Sequence, residues 1–236
     1  MSDSALADKT RVCRIAIIAA MEREVAPLIR NWKVRDVEQD GRRYRLFENG
    51  GAVLVCGGIA AQAARRATEA VVQTSHPDRV VSVGFAGALN STLKVGDVFE
   101  PSTVINAQDG SRTDAGAGPG ILVSYSAVAD REQKARLAQA YGASAVDMEA
   151  AAVAQGAQSH GIEFAAIKVI SDAADFSLPP TERFVTREGR FRSVAFAAHV
   201  AIRPWLWRNT IALARNSARA SKALSAAIER SLKSKL

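Results

Sequence analysis

Three carboxylates stand where they could act together: Glu24 just past the first apolar run, Glu149 in Val146-Asp147-Met148-Glu149, and Asp172 at the end of Val169-Ile170-Ser171-Asp172. His76, His160 and His199 lie far apart with no ligand spacing, so neither a metal site nor a Ser-His-Asp triad is expected. Cys13 and Cys56 sit in or beside apolar runs and read as buried, reduced thiols. Without imidazole, thiolate or metal, a group of carboxylates suits cleavage of a glycosidic bond through an oxocarbenium-like state. One acid protonates the leaving group while another carboxylate activates water. In an N-glycoside the leaving group is a nucleobase, and protonating a purine ring nitrogen makes it leave. Each carboxylate taken alone could instead be a helix N-terminal residue stabilised by the helix dipole. Three at one edge of a sheet argue for chemistry.

The elements around them bring them to one edge. A helix from Glu149 to His160 descends roughly 18 Å at 1.5 Å per residue. A strand from Phe164 to Ile170 climbs back about 23 Å at 3.3 Å per residue, returning Asp172 to the level of Glu149. Strand-length apolar runs lie at Val12–Ala19, Tyr44–Phe47, Ala52–Cys56, Arg79–Val83, Asp97–Ile105, Ile121–Ser124, Ser144–Val146 and Phe164–Ile170. Helical patterns lie at Glu22–Asn31, Ala60–Thr74, Asp130–Ala140 and Glu149–Ser159, and Ala107–Gly120 reads as a loop. Several strands are apolar throughout, as when helices cover both faces of a sheet. This alternation predicts a three-layer α/β fold with a mixed central sheet flanked by helices. Glu24, Gly57-Gly58-Ile59, Gly84-Phe85-Ala86-Gly87 and Asp172 all follow strands, where open α/β sheets bind ligands. The glycines would let a ligand approach the backbone. They match neither the G-x-G-x-x-G fingerprint nor a P-loop, which disfavours a dinucleotide-dependent dehydrogenase.

The chain of 236 residues, 48% apolar, is long enough for one sizeable core. Residues 1–10 are polar and read as a leader rather than a secretory signal. Residues 11–185 are expected to form the catalytic domain and 186–236 a basic helical region packed on it or extending it. No apolar run approaches the roughly 20 residues of a membrane span, so a cytoplasmic protein is expected. The net charge of +7 is concentrated in the tail: residues 186–236 hold eleven Lys and Arg against Glu188 and Glu229, a net +9, leaving −2 for the rest.

Four segments carry a family resemblance: Ala19-Ala20-Met21-Glu22-Arg23-Glu24-Val25; Val83-Gly84-Phe85-Ala86-Gly87-Ala88-Leu89 with Leu93-Lys94-Val95-Gly96-Asp97-Val98; Val146-Asp147-Met148-Glu149-Ala150-Ala151-Ala152; and Ile170-Ser171-Asp172. In this order, over residues 12–176, they resemble the nucleoside phosphorylase/nucleosidase superfamily, in particular the 5′-methylthioadenosine/S-adenosylhomocysteine nucleosidases. The resemblance implies that Asp172 holds a proton and donates it to N7 of adenine, and that Glu24 activates the attacking water. It implies that Glu149, beside Met148, holds the ribose hydroxyls, that Ile59 lines the pocket for the 5′ substituent, and that Val128 and Ala129 lie along the purine. Gly84, Phe85, Gly87, Lys168 and Ser171 complete the implied binding site. No cofactor or metal is implied, and the partners would be an adenine nucleoside and a second copy of the chain, a dimer by preference. Phosphorylases of this superfamily carry a Gly-Asp-Pro turn and arginines for phosphate. Here the turn is Ala20-Met21-Glu22-Arg23-Glu24, whose carboxylates repel phosphate, so water is the expected nucleophile. A phosphate-dependent purine nucleoside phosphorylase and a classical methylthioadenosine nucleosidase stay open as alternatives.

The chain also departs from that pattern. Phe85 replaces a small polar residue, Lys168 replaces an arginine and loses its bidentate geometry, and the segment from Asp97 to Met148 is short. Together with Leu178-Pro179-Pro180 and the Trp-containing basic tail, these features resemble the hopanoid-associated phosphorylase branch, which implies a lipid-linked nucleoside such as adenosylhopane. In the tail, Leu213, Ala220, Leu224, Ile228 and Leu232 recur at helical spacing with Arg215, Arg219, Lys222, Arg230 and Lys233 roughly opposite. Arg203-Pro204-Trp205-Leu206-Trp207-Arg208 could set two indoles at a water–lipid boundary. Packing on the domain or a second subunit, peripheral contact with an anionic membrane, and nucleic acid are the three readings of that helix. Nucleic acid is not the expected partner.

Overall fold

A computed structural model describes residues 14–116, 118–179, 181–186, 189 and 191–234. The leader, the first residues of the expected Val12 strand, Pro180, and Arg187, Arg190 and Lys235 of the tail lie outside the described residues.

Eleven strands among the described residues form one mixed sheet. In chain order they are β1 (Ile15–Ala19), β2 (Lys33–Gln39), β3 (Arg42–Asn49), β4 (Ala52–Cys56), β5 (Arg79–Ala88), β6 (Val98–Phe99), β7 (Thr103–Asn106), β8 (Arg112–Asp114), β9 (Ile121–Ser124), β10 (Ala145–Asp147) and β11 (Glu163–Asp172). Their order across the sheet is β2-β3-β4-β1-β5-β10-β9-β7-β8, with β11 pairing β5 and β6. The helices are α1 (Glu22–Ile29), α2 (Ala61–Ser75), α3 (Arg131–Tyr141), α4 (Ala150–Ser159), α5 (Ser193–Ala201) and α6 (Pro204–Lys233). Every residue of β1 is buried, because helices cover both faces and leave no polar side to alternate toward. One apolar cluster joins β1, β4 and β5 to α2 and α4. A second, on the other face, joins β1 and β11 to α1 and the C-terminal half of α6 through Ala220, Leu224, Ala227 and Ile228.

The three-layer α/β expectation holds. Several boundaries differ, each for a physical reason. The charged segment Lys33–Gln39 is a strand without an apolar signature, because it is the exposed outer strand of a hairpin with β3. Its pairing rests on backbone hydrogen bonds and side-chain pairs such as Arg35–Glu48 at 2.8 Å. The run Asp97–Ile105 divides into β6 and β7 around Pro101, which cannot donate to a ladder. The expected loop 107–120 contains β8, antiparallel to β7. The segment Gly84–Gly87 is not a turn but the continuation of β5 beside β11. Gly57 faces α2 rather than a ligand: a Cβ there would stand 2.6 Å from that of Ala67.

The positions of greatest consequence lie where β5, β10 and β11 meet. Gly87 pairs with Val146 on one side and Asp172 on the other. The β5–β11 register shifts between Ile170 and Asp172, so Ser171 is an extra residue in a bulge. Such bulges re-aim side chains at strand ends, and Ser171 and Asp172 of this one line an apolar-walled cavity.

Candidate active site

A cavity of about 490 Å³ opens over the ends of β1, β5, β10 and β11, in the size range of small-molecule sites. Glu24, Ile59, Phe85, Gly87, Val128, Ala129, Met148, Glu149, Ser171 and Asp172 line it. Of the binding-site residues that the resemblance implied, Gly84 and Lys168 do not. A Cβ on Gly84 would stand 3.2 Å from Glu24 Oε2, at a φ of +146° that side chains rarely adopt. Gly84 therefore makes room for the carboxylate, not for a ligand. Lys168 lies behind the wall, fully buried, where its Nζ reaches Asp147 Oδ2 at 2.9 Å and donates to Ser82 Oγ at 3.0 Å. It acts on the site only through its charge.

Asp147 is occupied in turn. It accepts from Ser124 Oγ at 2.5 Å and from the Ala150 amide at 2.9 Å, while Ser124 Oγ accepts from the Ala151 amide at 2.9 Å. Asp147 and Ser124 thus satisfy the free amides that begin α4. Glu149, the residue preceding that helix, does not cap it. Its Oε1 accepts instead from the amide of Ala60 at 2.7 Å, which bridges the start of α4 to the turn before α2. Ala60 is held at φ 80°, a conformation costly for a residue with a side chain. The Glu149 side chain therefore serves the N-cap amide of α2 and leaves the start of α4 to Asp147 and Ser124.

Glu24 is 3% exposed and accepts a long hydrogen bond, 3.4 Å, from the Met21 amide. Burial lifts its pKa from the ordinary 4.5 to about 7, against the opposing pull of the Lys168 ammonium. Glu149 is likewise pushed up to about 7, first by burial and then by the neighbouring Asp147 carboxylate. Desolvation disfavours the charged form of both. Lys168 is committed to Asp147, so neither glutamate has a cation of its own among the described residues. Asp172 is different. Its Oδ1 accepts from Ser171 Oγ at 2.7 Å and its Oδ2 contacts the ammonium of Lys134, a buried residue of α3 that also lines the cavity. Reading the sequence missed Lys134, because a lysine in a polar helix reads as solvated. The available signal was its place at the head of Lys134, Leu137, Ala138 and Tyr141, the inward spacing of α3.

The tail contributes a further part that the motifs did not show. Phe191, Phe196, Thr210, Leu213, Ala214 and Ser217 line the cavity, so α5 and the first half of α6 form one wall, joined by Leu178 and Val185. Arg23 lies 4.9 Å from the Phe191 ring centroid, a cation–π contact. Among the described residues no group of His, Cys, Asp and Glu could hold a metal ion. Glu24, Glu149 and Asp172 on one largely apolar cavity can position water, ribose hydroxyls and a purine nitrogen.

The chain is similar to several known proteins. The family model of the phosphorylase superfamily matches residues 14–131 and 120–201. The 5′-methylthioadenosine/S-adenosylhomocysteine nucleosidase of Exiguobacterium sp. is 29% identical over 202 residues, covering 69% of this chain and 86% of the relative. The Bacillus subtilis protein of that name is 29% identical over 203 residues, 68% and 86%. Among solved structures, the 5′-methylthioadenosine nucleosidase of Arabidopsis thaliana superposes with a TM-score of 0.71 at 17% identity, over 95% of this chain and 96% of that one. The futalosine hydrolase of Helicobacter pylori does so with a TM-score of 0.66 at 20% identity, over 93% and 98%.

Proposed function

The chain belongs to the phosphorylase superfamily, and from that premise we propose that it is an adenine-releasing nucleoside N-ribosyl hydrolase whose substrate carries a bulky apolar 5′ substituent, as a lipid-linked adenosine such as adenosylhopane would. The observation that carries the reading is the presence of Glu24 and Asp172 on one cavity, the first buried with a pKa of about 7. Near neutrality Glu24 can exist as a carboxylate and take a proton from water. Asp172, turned by the bulge in β11, addresses N7 of the purine. Glu149 accepts the ribose hydroxyls, and Val128 and Ala129 lie along the base. As the C1′–N9 bond lengthens, positive charge grows on the ribose and the carboxylates stabilise it.

Water rather than phosphate is the nucleophile. The first turn of α1 brings the Glu24 carboxylate to the cavity, and Arg23, the one arginine lining it among the described residues, is stacked on Phe191. The wall built by Leu178, Val185, Phe191, Phe196 and Leu213 suits an apolar 5′ substituent. Outside the cavity the same helices expose Val194, Ile202, Trp205, Trp207 and Ile211 next to Arg208, a pattern suited to a membrane surface carrying such a substrate. Adenine release from adenosine, 5′-methylthioadenosine, S-adenosylhomocysteine and a 5′-alkyl series tests the reading. The expected result is a kcat/KM that rises at least tenfold from methyl to long alkyl chains. A preference for adenosine itself, or for the charged homocysteine substituent, would overturn the apolar assignment.

A further inference from the structure

Asp172 does not stand alone in the cavity wall. Lys134 of α3 is 1% exposed, and its Nζ donates to Asp172 Oδ2 and, at 2.7 Å, to the carbonyl of Ala173. The surrounding chain accommodates this pair. A Cβ on Gly87 would stand 2.9 Å from Asp172 Oδ2 and 3.1 Å from Lys134 Cε, so β5 has no side chain where the pair passes. The bulge at Ser171 sets Asp172 against α3 and lets the Ser171 hydroxyl hold its other oxygen.

A buried ion pair is weak evidence for stability, since well-packed apolar residues often serve a core as well or better. The two buried lysines among the described residues separate the possibilities. Lys168 is paired behind the wall and joins the network that caps α4, a structural post. Lys134 lines the cavity itself, on the one carboxylate that the hydrolase reading asks to deliver a proton. In this contact Lys134 Nζ is the donor and Asp172 Oδ2 the acceptor, so the proton within reach of the carboxylate is the lysine's.

We propose that Lys134 is the proton source for departure of the base, passing its proton to purine N7 through Asp172. This rests on the nucleosidase reading and specifies how its acid works. The electron pair of the C1′–N9 bond moves into the purine as that bond breaks. N7 takes a proton from Asp172, and Asp172 takes one from the Lys134 ammonium, leaving a neutral amine. Water oxygen bonds to C1′, and its proton goes to Glu24. The products are neutral adenine and a ribose hydroxyl. The site resets when Glu24 releases its proton to solvent and Lys134 regains one. Lys134 acts through Asp172, so it is a positioning residue that charges the acid.

Turnover of 5′-methylthioadenosine and of 4-nitrophenyl β-D-riboside by wild type, Lys134→Met and Lys134→Arg tests the proposal. Nitrophenolate leaves without a proton; adenine does not. Lys134→Met is expected to lose about 10²-fold or more in kcat on methylthioadenosine, with KM changed less than about threefold, and to stay within about fivefold of wild type on the riboside. Lys134→Arg preserves the charge but holds its proton too tightly to give it up, and the same loss is expected. Wild-type kcat in Lys134→Arg would overturn the proposal, showing that charge alone suffices. Equal losses on both substrates in Lys134→Met would also overturn it, showing a role in folding. Release of neither leaving group by wild type would reject the nucleosidase reading itself, a result distinct from either.

Discussion

Glu24 illustrates how burial sets reactivity and stability together. Its pKa of about 7, raised by desolvation from 4.5, means that the folded protein holds a proton which the unfolded chain releases between those values. For a group raised in this way, its contribution to stability is fully present below about 4.5 and is lost as pH rises through about 7. Glu24→Gln removes the penalty of ionising in the core. The variant is therefore expected to match wild type in urea unfolding near pH 4 and to exceed it by about 3 kcal/mol at pH 8, while losing nucleosidase activity. A stability difference independent of pH would contradict the placement of this charge. In wild type the acidic limb of kcat/KM is expected near pH 7, where Glu24 ionises. At this scale the sequence was legible for the three carboxylates, because each sits in a motif at the end of a strand. Lys134 was not legible. What makes it a site residue is a contact with Asp172 across 38 positions of chain, and nothing local distinguishes it from a solvated lysine.

The elements place these residues by small deviations from regularity. The apolar runs revealed β1, β4 and β11, since strands covered on both faces must be apolar throughout. The exposed strand β2 gave no such signal. The bulge in β11 could not be read either, because Ile170-Ser171-Asp172 is compatible with regular pairing and only the register against Ala86 and Gly87 reveals the extra residue. α6 serves two purposes along its 30 residues. Its second half buries Ala220, Leu224 and Ile228, the face anticipated from their spacing, with Arg215, Arg219, Lys222, Arg230 and Lys233 outward. Its first half shows Leu213 to the cavity and Trp205 and Trp207 to the outside, 73% and 49% exposed. We expect Trp205→Ser/Trp207→Ser to weaken sedimentation with anionic phosphatidylglycerol vesicles at least tenfold while leaving turnover of methylthioadenosine within about twofold. Wild type that ignores vesicles, and sediments as a dimer that the double variant dissociates, would instead assign the patch to a second copy of the chain.

At the scale of the whole molecule, the mixed sheet gathers residues from most of the chain, from Ala20 to Ser217, around one cavity. The charge is divided too: residues 186–236 carry +9 and the remainder is slightly acidic, and Arg208, Arg215, Arg219, Lys222, Arg230 and Lys233 are all exposed on α6. No helix among the described residues is long and apolar enough to cross a membrane. The central claim is that water, activated by Glu24, displaces adenine. The direct measurement is the product formed from an adenine nucleoside in phosphate-free buffer made with ¹⁸O-labelled water, repeated with added phosphate. The expected product is a free ribose derivative carrying one ¹⁸O at C1′, formed at a rate that phosphate does not change and that Asp172→Asn lowers by about 10²-fold or more. Adenine release that requires phosphate and yields an unlabelled ribose 1-phosphate would contradict it.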